Sequence, residues 1–326
     1  MKNIVNNLPI SVIVLTYRPC RKKLIRTLRS VFCQKGIPFE VILADDGSPN
    51  EDWSWLEPFF QQNGITEYAT LIHEHNQGTV RNLLDGVELA RGKYIYAISP
   101  GDFFFDEHVL TDLYHFAEKT QSSICFGNAV YYSNQDGAVK ITKQYGKPIC
   151  PQNYALNVPK EQRMLAFFGL DWINGATFFR ERTVAREYLT IASHYCRYME
   201  DNSSTAFALG DGIPVVYYER NVIWYEDGTG VSTSATSKWK KVLDDEAESF
   251  AQSLHQDHPR DKYMLSLLIM LQERNRISRI AKRLMYCPVV TMKTILQKKR
   301  VKPQQIVCSE EDLAYLESLL EEELCK

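Results

Sequence analysis

The sequence predicts an α/β protein, with a mostly parallel central sheet flanked by helices and a helical C-terminal region. Three observations predict it. Short β-branched apolar runs alternate with amphipathic stretches of helical spacing through the first hundred residues. The first run, Pro9–Thr16, is apolar on both faces, as a parallel strand covered by helices on both sides requires. From Lys238 onward glycine is absent and helix formers dominate, which places a boundary near Thr236 and divides the chain into 1–236 and 237–326.

The elements follow in order. After the strand at 9–16 comes an amphipathic helix over Arg21–Cys33, where Leu24, Leu28 and Val31 share a face. Phe39–Ala44 is a second buried strand, ending in Asp45-Asp46-Gly47-Ser48-Pro49, and Asp52–Gln62 is a helix. Ala69–His73 is a third strand. Thr79–Ala90 is a helix with Val80, Leu83, Leu84 and Val87 on one side, closed by Gly92, and Tyr94–Ile98 is a fourth strand. The pattern then loosens. Helices are expected at Glu107–Lys119, Glu161–Phe168 and Asp201–Leu209. Extended segments are expected at Ser123–Tyr132, Trp172–Arg180, Val215–Tyr218 and Val222–Tyr225.

Composition narrows the function classes. The chain has 326 residues, 38 Lys+Arg against 40 Asp+Glu, and a formal net charge of -2. That balance excludes a disordered tail protein and a strongly basic nucleic-acid binder. The eight cysteines are scattered, with no CxxC pair and no zinc-ligand spacing, which predicts reduced thiols and a cytoplasmic protein. The N-terminus lacks the apolar core of a signal peptide, and the longest apolar run, Tyr263–Leu271, is too short to span a bilayer.

In open parallel sheets, ligands bind beyond the C-terminal ends of the strands. The residues there are Thr16-Tyr17-Arg18, Asp45-Asp46-Gly47-Ser48, His75-Asn76-Gln77-Gly78 and Ser99-Pro100-Gly101-Asp102, all polar and loop-like. The segments Ser11–Arg18 and Glu40–Ser48 closely resemble the opening of family 2 glycosyltransferases with the GT-A fold. Asn76-Gln77-Gly78 with Arg81-Asn82, Ala90–Ile95 and the late pair Glu200-Asp201 match that family in the expected order, over about residues 10–230.

The resemblance implies roles. Leu15, Thr16 and Tyr17 line the nucleotide base, Asp46 or its neighbour Asp45 hydrogen-bonds it, and Arg81 joins the nucleotide site. Asp102 stands where the family has an acidic metal motif and would ligate Mg²⁺ or Mn²⁺, although Ser99-Pro100-Gly101-Asp102 keeps only one acid. Asp201 is the catalytic base and Glu200 its supporting or acceptor-orienting neighbour. Trp172, Asn174 and Gly175 lie beside donor sugar and acceptor. The implied activity is inverting transfer from a nucleotide sugar, UDP-linked by family tendency. The acceptor is a hydroxyl of a glycan or lipid-linked oligosaccharide in surface polysaccharide or capsule biosynthesis.

Plainer readings stand beside these. Asp45–Ser48 is also a turn that caps a helix, Asp102 a turn aspartate, Glu200-Asp201 an acidic helix start and Trp172 a core residue. The stretch Trp224–Thr233 is either a glycine-rich closing loop or a connection. A depleted metal motif also suits a catalytically weak or inactive sugar-nucleotide-binding partner. Segment 274–302 carries ten basic residues and no acidic one, interleaved with apolar residues. It suits peripheral contact with an anionic membrane, contact with nucleic acid, or the solvated face of a helix packed on the catalytic domain. Ser309 and Asp312 then form a capping-box-like start to a last acidic helix.

Overall fold

β1 (Ile10–Thr16) is buried along its whole length, and its alternate residues enter two different cores. Ile13 and Leu15 pack with one set of helices, Val12 and Val14 with another. The period of two along the strand thus fixes a three-layer arrangement. A computed structural model of the chain describes residues 8–135, 138–143, 146–171, 173–228, 237–300, 302 and 306–321.

β1 pairs in parallel with β2 (Phe39–Asp45) on one side and β4 (Tyr94–Ile98) on the other, and β3 (Tyr68–Ile72) lies outside β2. Beyond β4 the sheet becomes mixed. The full order is β3-β2-β1-β4-β8-β6-β9-β5, with β8 at Phe178–Glu181, β6 at Ile124–Gln135, β9 at Val215–Glu226 and β5 at Phe103–Phe104. β6 and β9 run parallel. β8, β5 and β7 (Ala138–Lys143) pair antiparallel with their neighbours. The strand order reverses at β1, between β2 and β4, and that is where an open α/β sheet leaves its ligand crevice.

One face carries α3 (Thr79–Leu89), α6 (Arg182–Ala192) and α7 (Glu200–Gly210). α8 (Ser237–Asp257) and α9 (Lys262–Gln272) bury Phe250, Leu254 and Met264 in the same cluster. The other face carries α1 (Arg21–Phe32), α2 (Leu56–Gln62), α4 (Val109–Thr120) and α12 (Glu310–Leu320). α5 (Lys160–Gly169), α10 (Arg276–Tyr286) and α11 (Pro288–Arg300) complete the chain. At α12 the capping box forms between Ser309 and Asp312 as expected.

Several expectations shift. The two strands at 215–218 and 222–225 are one strand, β9, whose register slips opposite Asn128. Gly127 makes the slip possible, because a Cβ there would lie 2.4 Å from Val222. Of the expected extended segment 172–180, the described part enters a strand only at Phe178, after a 3₁₀ turn at Gly175–Thr177. The second helix begins at Leu56 rather than Asp52. α6 and the hairpin strand β7 were not expected.

Candidate functional site

The parallel strands end in loops tied to one another by carboxylates. Thr16 Oγ1 donates to Asp45 Oδ1 at 2.9 Å, and the Ser48 N–H and hydroxyl donate to the same carboxylate at 2.7 and 2.6 Å. Asp46 accepts from the backbone N–H of Gln77 at 2.6 Å and of Gly78 at 2.9 Å. Burial pushes its carboxyl up, against the pull of these two bonds. Gly47, at φ +71°, lets this turn close on the 75–78 loop: a Cβ there would lie 2.5 Å from the His75 backbone. Asp45 and Asp46 therefore shape the crevice floor. Leu15 and Thr16 are buried beside them, whereas the Tyr17 ring is 45% exposed at the strand end. Arg81 lies in the first turn of α3, exposed, with its guanidinium on Asp85 at 2.7 Å.

A second group forms where the turn after β4 meets the end of β9. Thr27 Oγ1 accepts from Gly101 N and donates to the Asp102 carbonyl, and the Tyr132 hydroxyl donates to the Gly101 carbonyl at 2.6 Å. The turn is thus pinned from two sides. Asp102, 6% exposed, accepts the Glu226 N–H at 3.0 Å. Burial pushes its carboxyl up to about 8, helped by the negative charge of Glu226. The Glu226 carboxylate lies over Gly101, with Oε2 2.4 Å from where a Cβ would stand, and it meets Lys23 Nζ at 2.5 Å. Gly101 thus leaves room for the Glu226 carboxylate beside the turn that holds Asp102.

The third group lies at the start of α7. Glu200 and Asp201 are partly exposed but enclosed by protein on most sides. Burial raises both carboxyls, and Asp201 raises Glu200 further. Arg180, 7% exposed, opposes this; its guanidinium donates to the Asp201 carbonyl at 3.3 Å and to Thr205 Oγ1 at 3.1 Å. Asp201 Oδ1 accepts the Asn202 N–H at 2.6 Å, while a Cβ on Gly175 would meet Oδ2 at 2.3 Å. Gly175 therefore lets the loop approach the carboxylate. Between them lies a cavity of about 20 Å³, lined by Gly175, Phe178, Arg180, Glu200 and Asp201 among others, roomy enough for one water.

Tyr131 joins the last two groups. Its hydroxyl accepts from Asn174 Nδ2 at 3.0 Å, and burial together with the charges of Asp227, Asp102 and Asp201 pushes it up. Asn174 also caps the 3₁₀ turn through the Ala176 N–H. Tyr131 thus touches Asn174 and feels the charges of Asp102 and Asp201, while Arg81 is turned along its own helix. Trp172 and the loop residues 229–233 lie outside the described residues. Tyr131 and Arg180 were not singled out from the sequence, and Glu226 only as an acidic residue at the start of the stretch Trp224–Thr233. The one available signal was Glu226, which ends the strand leading into the glycine-rich stretch.

Comparison with known proteins follows the same lines. Residues 11–189, more than half of the chain, match the family model for glycosyl transferase family 2. The glycosyltransferase GlyG of Streptococcus pneumoniae serotype 4 is 26% identical over 129 residues, which cover 39% of this chain and 41% of that protein. The uncharacterized glycosyltransferase RC0461 of Rickettsia conorii is 30% identical over 139 residues, covering 42% of this chain and 21% of its own. The chain thus spans about two fifths and one fifth of the length of these relatives. Among solved structures, S. aureus TarS 1–349 in complex with UDP-GlcNAc superposes with a TM-score of 0.58 at 14% identity, covering 88% of this chain and 78% of that one. A second TarS structure gives 0.57, also at 14% identity, over 83% of this chain and 45% of that one. At that identity the likeness speaks for the fold alone.

Proposed function

The chain belongs to glycosyl transferase family 2, and from that premise we propose that it is an inverting glycosyltransferase using a nucleotide sugar, with UDP as the nucleotide. The observation that carries the reading is the Glu200-Asp201 pair at the start of α7, with Arg180 and Gly175 packed against it and a water-sized cavity beside it. The UDP-GlcNAc complex of TarS, a protein of the same fold, supports the choice of nucleotide.

In this reading the base lies against Tyr17 over the floor made by Thr16, Asp45 and Asp46. The acceptor hydroxyl attacks the anomeric carbon from the side of Gly175 and Asp201. As the new C–O bond forms, the bond to the diphosphate oxygen breaks and the diphosphate leaves with its electron pair. Asp201 takes the hydroxyl proton. Its raised proton affinity suits a base that must hold that proton once received. Glu200 and Arg180 set its charge state, and Gly175 keeps the approach open. The acceptor in this proposal is a glycan or lipid-linked oligosaccharide hydroxyl in surface polysaccharide synthesis.

Among the described residues no group of three or more His, Cys, Asp or Glu is arranged to hold a metal ion. A divalent cation that keeps several waters and a diphosphate needs only one or two protein carboxylates. Asp102 and Glu226 are the residues that would hold it, Asp102 buried in the turn and accepting the Glu226 N–H, with the Glu226 carboxylate over Gly101. Mg²⁺ or Mn²⁺ held there would stabilise the departing diphosphate.

The test is a panel of UDP-, GDP-, dTDP- and CMP-sugars with Mn²⁺, following nucleotide release and, separately, nucleotide binding. Release from one donor class is expected. Nucleotide binding without release from any donor would overturn catalysis in favour of a sugar-nucleotide-binding partner.

A further inference from the structure

α10 and α11 present their apolar residues outward. α10 buries no residue at all, although Ile277, Ile280, Leu284 and Met285 recur at the spacing of a single helix face. A surface helix with such a stripe ordinarily turns it to the core. Here Ile277 is 80% exposed and Met285 71%. α11 packs Val290, Thr291 and Thr294 inward and leaves Val289, Met292 and Leu296 on the opposite face in solvent. Eight of the fourteen exposed large apolar side chains among the described residues fall within α10 and α11. A concentration of this kind marks an interaction surface.

Charge identifies the partner. From Arg274 to Gln305 there are ten Lys and Arg and no Asp or Glu. Arg276, Lys293, Lys299 and Arg300 are exposed around the apolar ridge. We propose that the outer face of α10 and α11 docks in the plane of an anionic lipid bilayer, its aliphatic ridge entering the headgroup region and its cations meeting acidic lipid phosphates. No described helix is long and apolar enough to cross a membrane, so the contact is in-plane. A second copy of the chain fits poorly, because an isologous contact would set two all-basic faces against each other. Nucleic acid would use the cations and leave the aliphatic ridge without a role.

The surface is tied to the site. Thr294 of α11 lies against Gly169 at the end of α5, where a Cβ would stand 3.2 Å from its hydroxyl. Six residues then lead to Gly175 beside Asp201, a span of at most about 22 Å. Docking therefore holds the catalytic loop near the bilayer surface, where a lipid-linked acceptor would present its sugar; this last step rests on the glycosyltransferase reading, and the docking does not.

The experiment is flotation of the full chain with phosphatidylcholine vesicles, with and without phosphatidylglycerol, at low and high salt. Binding to the anionic vesicles at low salt is expected, weakened by salt. Replacing Lys293, Lys299 and Arg300 by Gln should weaken it about a hundredfold, at roughly fivefold per charge. Ile277→Ser with Met285→Ser and Val289→Ser should weaken it at least about tenfold at unchanged circular dichroism. Absence of anionic-vesicle binding, or binding indifferent to both variants, overturns the proposal. So does a dimer in ultracentrifugation that the serine variant dissociates, or oligonucleotide binding lost only in the glutamine variant. UDP binding by thermal shift is read alongside. Its failure would count against the sugar-transfer reading and leave the vesicle result standing.

Discussion

The two ends of the parallel sheet both bury carboxylates, and they treat them in opposite ways. At the N-terminal end, Glu40 is 1% exposed and accepts from the Ser11 hydroxyl at 2.6 Å, the Arg91 N–H at 2.6 Å and Arg91 Nε at 2.8 Å. Arg91 also reaches Glu67 at 2.7 Å, and these bonds raise its guanidinium. Gly92 completes the lock by donating to Ser11 Oγ, in a place where a Cβ would lie 2.4 Å from the Ser11 nitrogen. At the C-terminal end, burial pushes Asp102, Glu200 and Asp201 up, and Lys23 and Arg180 offset it only in part. The carboxylate that holds the fold is neutralised by the fold; the three proposed for ligand work carry raised proton affinities, as groups poised for a ligand do.

The comparison can be broken by exchanging the roles. The largest effect is expected from Asp201→Asn, which should lower kcat about 10²–10⁴-fold while UDP binding and thermal unfolding stay near wild type. Unchanged turnover would remove Asp201 as the base. Next, Arg91→Met leaves Glu40 buried without its cation and should cost roughly 3 kcal/mol in urea unfolding, at the lower end of the range for a broken buried pair because Arg91 is itself half exposed. A loss below about 0.5 kcal/mol would show that water replaces it.

Glu226→Gln should weaken Mn²⁺ binding in the presence of UDP by about tenfold, and Lys23→Met should strengthen it by removing the ammonium that sits on Glu226. Calorimetric titration of the metal decides this, and equal affinities in all three proteins would count against the Asp102–Glu226 pair.

The smallest effect is a shift in pH dependence. The base must be ionised, and burial raises Asp201, so the acid limb of kcat/KM should lie above the ordinary carboxylate range and fall as pH drops through it. Arg180 favours the ionised form. Arg180→Met should therefore move the limb to higher pH, by about one unit or less, and Arg180→Lys should leave it in place. A limb that moves to lower pH in Arg180→Met would contradict the assignment.

Legibility differed between the halves. β1 to β4 and the helices between them were readable because β1, β2 and β4 are short and largely apolar on both faces and each helix carries one stripe. The second half was less so. β9 runs unbroken through the exposed residues Glu219 and Arg220 because pairing with β6 holds it extended, whatever its local pattern suggests. Asp46, Asp102 and Asp201 could be picked out as loop or helix-start acids after predicted strands. The pairings of Glu226 with Asp102 and of Tyr131 with Asn174 could not, because each partner lies more than a hundred or about forty residues away in sequence.

By itself the sequence determined the layered α/β plan, the polar loops at the strand ends, the glycosyl transferase family 2 signature and the all-basic segment near the C-terminus. These follow from short-range periodicity and ordered motifs, which need no knowledge of contacts. The tertiary structure decided that Glu226 meets Asp102, which carboxylate an arginine neutralises, and that the apolar stripe of α10 faces outward. Burial and charge pairing depend on residues distant in the chain, so only the packed fold sets them.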